Sequence, residues 1–245
     1  MIGVESLLSD AVKHFWITRS NQRDRQGAET GQKDAGNRAA VTGGKHADGF
    51  VKLIAAIITD AGLPEFEIHT TNKTGRTIPG FFRPTKEWDL VVVHRADIVA
   101  VVEVKSQVGS FGNNFNNRVE EALGNATDFW TAYRKGTFAP SQKPWLGYLF
   151  MLEEHPVSLR ARQRINIRPH PFKVDKAFQQ KSYAQCYEEV CKRFVREMLY
   201  DAACFFTSDA HNGIKGIFNQ PSPELSIHSF AVSLHARAAA FARLK

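Results

Sequence analysis

The stretch that most restricts how this chain can fold runs from Trp88 to Gly109, WDLVVVHRADIVAVVEVKSQVG. Val and Ile fill two runs on either side of the polar Arg95-Ala96-Asp97, which is the pattern of two β-strands joined by a tight turn. A hairpin this apolar has to be buried, yet it carries Asp89, Glu103 and Lys105. With the turn on Arg95-Ala96-Asp97, Asp89 falls directly opposite Glu103. Cross-strand partners sit about 4.5–5.5 Å apart at Cβ. Two carboxylates that close, beside apolar surface, repel strongly. A register slip of one residue would instead put them on opposite faces.

Lys105 lies two residues past Glu103 and therefore emerges on the same face of the strand. One lysine balances only one acid, and a bound divalent cation such as Mg²⁺ would balance the other. Hard cations take oxygen from one or two carboxylates and complete their shell with water and phosphate. Such an ion activates water and neutralises charge on a phosphate under attack. Lys105 can orient or help deprotonate that water and stabilise the transition state. The chemistry implied is in-line hydrolysis of a phosphodiester. The plainer alternative is an exposed ion pair on a hairpin face.

Around the hairpin the pattern alternates between helical and extended. Residues 3–18 and 48–61 show helical apolar stripes, the second built on Phe50, Leu53, Ile54, Ile57 and Ile58 and stopped by Gly62 and Pro64. EFEIHTT (65–71) reads as a strand. A third helix is expected at about 117–134, and WLGYLFML (145–152) as a strand covered on both faces. The last third reads as mostly helical, at roughly 181–204 and 227–244. Residues 20–46 lack aromatic residues and have Val41 as their one large aliphatic, so a flexible Gly/Arg-rich segment is expected there. Three strands, a crossover helix and a fourth strand make an α/β protein: a mixed β-sheet flanked by helices, an α/β/α sandwich. The chain is expected to be a single domain over 1–245, with a helical C-terminal elaboration at about 181–245.

Two further segments suit nucleic acid. SFGNNFNNR (110–118) places Asn113, Asn114, Asn116, Asn117 and Arg118 just after the Lys105 strand, and Asn and Arg pair bidentately with adenine and guanine. A Gly/Asn-rich loop with Asn117 as a helix N-cap is the alternative. In VSLRARQRINIR (157–168), Arg160, Arg162, Arg164 and Arg168 alternate with apolar residues, so a strand would have one cationic face fit to track phosphates. A charged edge strand that blunts aggregation fits equally. Asp48 opens the second helix, as an N-cap or as an accessory acid near the metal. Glu120 and Glu121 are expected on the outer side of the third helix, in structural or supporting roles.

The net charge of +7, with a pI near 9.4, favours a polyanionic partner. Cys186, Cys191 and Cys204 are odd in number without CxxC spacing, so neither disulfides nor zinc are expected and a reducing cytoplasm is the default. Nine histidines show no ligand spacing. No apolar run approaches a membrane span. MIGVESLLSDAVKHFW has Glu5 and Asp10 and no basic residue before its first apolar turn, unlike a signal peptide.

WDLVVV and VAVVEVK resemble the PD-(D/E)xK nuclease signature, although Trp88 stands where the superfamily's name has proline. The resemblance is closer to the XhoI-type type II restriction endonucleases. It is carried by GGKHADGF (43–50), IPGFFRPTKEWD (78–89), VEVKS (102–106) and SFGNNFNNRVEEALG (110–124). It implies a restriction-endonuclease-like fold and a homodimeric, Mg²⁺-dependent enzyme of the bacterial cytoplasm. Such an enzyme cuts both strands of double-stranded DNA at a palindrome, CTCGAG for this family, and has a cognate DNA methyltransferase. Asp89 and Glu103 would bind the metal, Lys105 would be the catalytic lysine, and Lys86 of RPTKEWD would join the DNA-binding residues. Two other readings stand beside it. A structure-selective repair or recombination nuclease would cut flaps or junctions. A non-catalytic DNA-binding protein would bind regardless of Mg²⁺.

Overall fold

In the computed structural model, residues 2–30, 45–161 and 172–244 are described. Five strands form the main sheet, in the order β1 (Ile68–His69), β4 (Leu90–His94), β5 (Asp97–Gln107), β6 (Trp145–Glu153) and β7 (Ala202–Ser208). β4 runs antiparallel to both its neighbours, β1 and β5, and β6 and β7 join β5 in parallel. A separate ribbon pairs β2 (Thr77–Pro79) with β3 (Thr85–Glu87).

Period-2 alternation splits the sheet's side chains between two cores. Leu90, Val92, Val102, Val104, Leu149, Met151 and Phe206 face one way, onto α1 (Val4–Thr30), α2 (Asp48–Asp60) and α5 (Ile227–Ala242). Val91, Val101, Tyr148, Phe150 and Phe205 face the other, onto α3 (Phe111–Arg134) and α4 (Tyr183–Arg196). The result is the α/β/α sandwich expected, with a mixed sheet between two helical layers.

The hairpin register matches the sequence reading where it matters. Leu90 pairs with Val102, and Val91 with Val101. The turn itself is tighter than expected: His94 pairs with Asp97, and Arg95 takes a left-handed conformation (φ 57°). A bulge compensates. Val92 pairs with Ala100 and Val93 with Ile98, which leaves Val99 as the extra residue.

Several elements differ from expectation. α1 continues to Thr30, well past residue 18, while residues 31–44 lie outside those described. The strand expected at 65–71 shrinks to Ile68–His69, behind a 3-10 turn at Glu65–Glu67. α3 begins at Phe111, so SFGNNFNNR is helix rather than loop. A sharp corner of two left-handed residues, Gly109 (φ 67°) and Ser110 (φ 46°), takes the chain from β5 into that helix. The glycine meets this conformation without a Cβ penalty. Asn117 is therefore not an N-cap. Residues 156–159 form a helical turn instead of a strand, and Arg162, Arg164 and Arg168 lie outside the described residues. The helix expected over 181–204 ends at Arg196. Met198 turns left-handed (φ 56°), and Ala202–Ser208 joins the sheet beside β6.

Candidate active site

Asp89 stands one residue before β4, held from both sides. Trp88 is buried, packs edge-on against Phe129 (5.6 Å between ring centroids), and donates its backbone N–H to Arg76 O (2.9 Å). Arg76 Nη1 returns a bond to Trp88 O (2.8 Å). The tryptophan thus anchors the backbone where the signature's name has proline. Asp89 Oδ2 accepts the backbone N–H of Val104 on β5 (2.8 Å), which ties it across the hairpin beside Glu103.

Glu103 is 2% exposed. Its Oε1 lies 2.7 Å from Lys105 Nζ and its Oε2 lies 3.0 Å from Lys86 Nζ. The Lys86 ammonium is within ion-pair distance but poorly directed, so Glu103 Oε2 accepts no hydrogen bond. Lys105 Nζ also reaches Glu121 Oε1 (2.8 Å), and Glu121 Oε2 accepts from Arg118 Nη1 (2.9 Å). Asp89, Glu103 and Lys105 share the sheet face that packs on α3, the face of Val91 and Val101.

The electrostatics follow from this packing. Burial, and then the charge of Glu103, push the Asp89 carboxyl up to about 6; the Val104 N–H, Lys105 and Lys86 pull less strongly the other way. For Lys105, burial disfavours the ammonium, but Glu103 and Glu121 outweigh it and hold the pKa above the ordinary lysine value. Glu121 is held below the usual carboxylate range: burial opposes this, and the Lys105 hydrogen bond, the Lys105 charge and Arg118 overcome it.

A cavity of about 600 Å³ opens over these groups. Asp89, Lys105 and Gln107 line its sheet side, Asn113, Asn114 and Arg118 its α3 side, and Arg19 and His46 the side of the N-terminal helices. Asn113 also borders a second hollow of about 400 Å³, with Phe111, Glu153 and His155. Among the described residues no three His, Cys, Asp or Glu side chains gather as a metal-holding group. Any ion here would rest on two carboxylates, the number from which Mg²⁺ commonly completes its shell with water and phosphate.

The family model "Restriction endonuclease XhoI" matches residues 26–220, a span that holds every one of these groups except Arg19. The chain belongs to the XhoI restriction endonuclease family. It is 44% identical over 208 residues to the type II restriction enzyme BstVI of Geobacillus stearothermophilus, covering 82% of this chain and 91% of that protein. It is 46% identical over 162 residues to the type II restriction enzyme AbrI of Azospirillum brasilense (66% and 71%). It is 40% identical over 185 residues to the type II restriction enzyme XhoI of Xanthomonas vasicola (75% and 72%). No solved structure matches at a significant level. As a member of this family the chain is a restriction endonuclease, a DNA-binding hydrolase.

Within this XhoI-family enzyme the sequence-predicted residues divide into groups. Asp89, Lys105, Asn113, Asn114 and Arg118 line one cavity, with Glu103 buried beside Lys105. Asn116 and Asn117 are exposed on α3 and do not line it. Lys86, expected to contact DNA, instead turns inward to Glu103 and lies over the Trp88 ring (4.5 Å). Asp48 is exposed in the first turn of α2 and does not line the cavity, although its neighbours His46 and Ala47 do. Arg160 is exposed just past the 156–159 turn.

Three site residues escaped the sequence reading. Glu121 was expected on the outer side of its helix, but with α3 starting at 111 it shares a face with Asn114 and Arg118, at four- and three-residue steps. Arg19 continues the stripe of Leu8, Val12 and Phe15, and a cation on an apolar stripe was a readable signal. His46 sits at the cavity wall behind a buried Nδ1 that has no hydrogen-bond partner. No spacing in the sequence pointed to it.

Proposed function

We propose that the Asp89–Glu103–Lys105 cluster is the catalytic centre for double-strand cleavage of DNA at the palindrome CTCGAG. The observation that carries this is Asp89 and Lys105 lining one cavity, with Glu103 buried 2.7 Å from the Lys105 ammonium and cationic and amide side chains around the mouth.

Type II restriction endonucleases use a divalent metal ion, and we assign Mg²⁺ to Asp89 and Glu103. The residues fit it on two counts. Glu103 Oε2 is buried and accepts no hydrogen bond. The charge of Glu103 helps push Asp89 up to about 6, a repulsion that a cation between the acids would relieve. When bound, the ion supplies positive charge against the phosphate under attack.

The chain's own residues do the rest. Lys105 is held in its charged form with two of its three donors on Glu103 and Glu121, which suits it to donate the remaining hydrogen bond to the attacking water rather than to take a proton. The water oxygen gives its proton to solvent and forms a bond to phosphorus as the ester P–O bond opposite it breaks, and the leaving oxygen takes up a proton from solvent. Arg118, Asn113 and Asn114 lie where the helix meets the cavity, fit to hold phosphate and base edges. Arg160, exposed just past the 156–159 turn, is a candidate phosphate contact, as are Arg162 and Arg164 by their charge and spacing in the sequence, and Asp48 is a candidate accessory acid. The enzyme acts as a homodimer in the bacterial cytoplasm, beside a cognate methyltransferase that protects host sites.

The test uses purified protein and unmethylated DNA carrying one CTCGAG. Cleavage at that site with Mg²⁺, none in EDTA and none at a scrambled site are expected. Discrete cuts at another sequence would overturn the site assignment. Cleavage only of flaps or junctions, or binding without cleavage, would overturn the activity.

A further inference from the structure

We infer that Glu121 is a positioning residue that aims the Lys105 ammonium into the cavity and ties it to Arg118 on the wall. The inference rests on the reading of Lys105 as the catalytic lysine.

An ammonium carries three donors in fixed tetrahedral directions. Glu103 Oε1 takes one at 2.7 Å and Glu121 Oε1 takes a second at 2.8 Å. With two donors fixed from different elements, β5 and α3, the direction of the third is set. Lys105 lines the cavity that holds Asp89. Held by Glu103 alone, the ammonium would keep a rotational freedom about one contact, at the end of a four-carbon stem.

Glu121 is itself held. Its second oxygen accepts from Arg118 Nη1 at 2.9 Å, one helical turn back. Both carboxylate oxygens are thus in use, although the side chain is 38% exposed. A half-exposed ion pair contributes little to stability. The arrangement is better accounted for by what it does to Lys105. It also makes the seat of the lysine depend on the helix whose first turns bring Asn113, Asn114 and Arg118 to the cavity. Glu120, next in the chain, is exposed and serves as an internal control of equal charge.

The experiment compares wild type, Glu121→Gln, Glu121→Ala, Glu120→Gln and Lys105→Ala. Single-turnover cleavage of a CTCGAG duplex is measured in Mg²⁺, affinity for the same duplex in Ca²⁺, and the melting temperature in both. A displaced reacting group costs roughly a hundredfold in rate for an ångström of misplacement. Glu121→Ala is therefore expected to lose roughly tenfold to a hundredfold in rate, with affinity and melting temperature close to wild type. Glu121→Gln, which keeps the acceptor oxygen, is expected to fall between, and Glu120→Gln to match wild type. A Glu121→Ala enzyme at full rate, with Lys105→Ala inert, would overturn this inference alone. So would a rate loss matched by equal losses of affinity or of melting temperature. A fully active Lys105→Ala would overturn the catalytic assignment and this inference with it.

Discussion

Asp89 shows what burial beside a second acid does to a carboxyl. Its carboxyl, raised from 3.8 to about 6 by burial and then by Glu103, keeps a proton in the folded protein that the unfolded chain has already released. A raised acid contributes stability that is fully present below its unfolded pKa and is lost as pH rises through the folded one. In metal-free protein, stability therefore falls between about pH 4 and pH 6 on this account and levels off above. Asp89→Asn keeps an acceptor for the Val104 N–H and removes the charge. At pH 8 in EDTA it is expected to be more stable than wild type by about 2 kcal/mol, once partial exposure is discounted. The gain should shrink toward pH 4. Urea unfolding at both pH values checks it, and an equal or lower stability at pH 8 refutes it. Lys105 behaves oppositely, since its charge is already compensated by Glu103 and Glu121. Lys105→Ala is expected to abolish cleavage while leaving specific DNA binding largely intact, read by gel shift in Ca²⁺ and cutting in Mg²⁺. Undiminished cutting would remove the lysine from the mechanism.

The loop between β2 and β3 positions Trp88 and Asp89 at a distance through one carboxylate. Asp128 on α3 is buried and accepts from the backbone N–H groups of Phe81 (2.9 Å) and Phe82 (2.7 Å) and from Arg83 Nε (2.8 Å). A Cβ at Gly80 would come within 2.6 Å of Asp128 Oδ2, so the close approach depends on that glycine. Asp128→Ala leaves the part-buried Phe81 and Phe82 amides and Arg83 Nε without this acceptor, although Arg83 Nη2 keeps Asn125 Oδ1, and should cost about 2 kcal/mol in urea unfolding. Asp128→Asn, which keeps an oxygen, should cost less. A loss under half a kilocalorie for the alanine variant would show that the loop does not depend on the anchor. Nothing in IPGFFRPT names this partner in advance, because the contact joins distant segments, as the Phe82–Asp128 bond does across 46 residues. The same limit explains which elements were legible. The hairpin register was readable because alternation and turn chemistry are local, and both apolar strands fixed the face of Asp89, Glu103 and Lys105. The start of α3 was not. Gly and Asn are weak helix formers, and it is tertiary packing that makes residues 111–117 helical: Phe111 lies against His155 and Tyr183, and Phe115 against Tyr187. That one error helped to hide Glu121, since a helix begun at 117 leaves out Asn114, the cavity residue one turn before Arg118 on the same face. β7 failed for a different reason. AACFFTS is a short apolar run that periodicity alone does not separate from a buried helix end.

At the scale of the whole molecule, the number of centres bears on how two strands are cut. The chain places one Asp89–Glu103–Lys105 set on the sheet, while the strands of a duplex run in opposite directions. Two identical centres related by a two-fold axis match a palindrome, because each sees the same sequence in the same polarity. A net charge of +7 per chain favours assembly on DNA, since the phosphates offset the mutual repulsion of the two copies. A supercoiled plasmid with one CTCGAG is therefore expected to pass to linear product with little nicked circle accumulating at excess enzyme. The rate should also fall steeply as salt rises from about 50 to 200 mM. Mixing in Lys105→Ala chains decides between one copy and two. If two copies act together, mixed dimers cut one strand, and nicked circle builds up in proportion to the inactive chain. If single copies act in succession, the inactive chain only slows the reaction, and nicked circle accumulates with wild type alone. Agarose gels of the plasmid over time, with the mole fraction of inactive chain varied, separate the two outcomes.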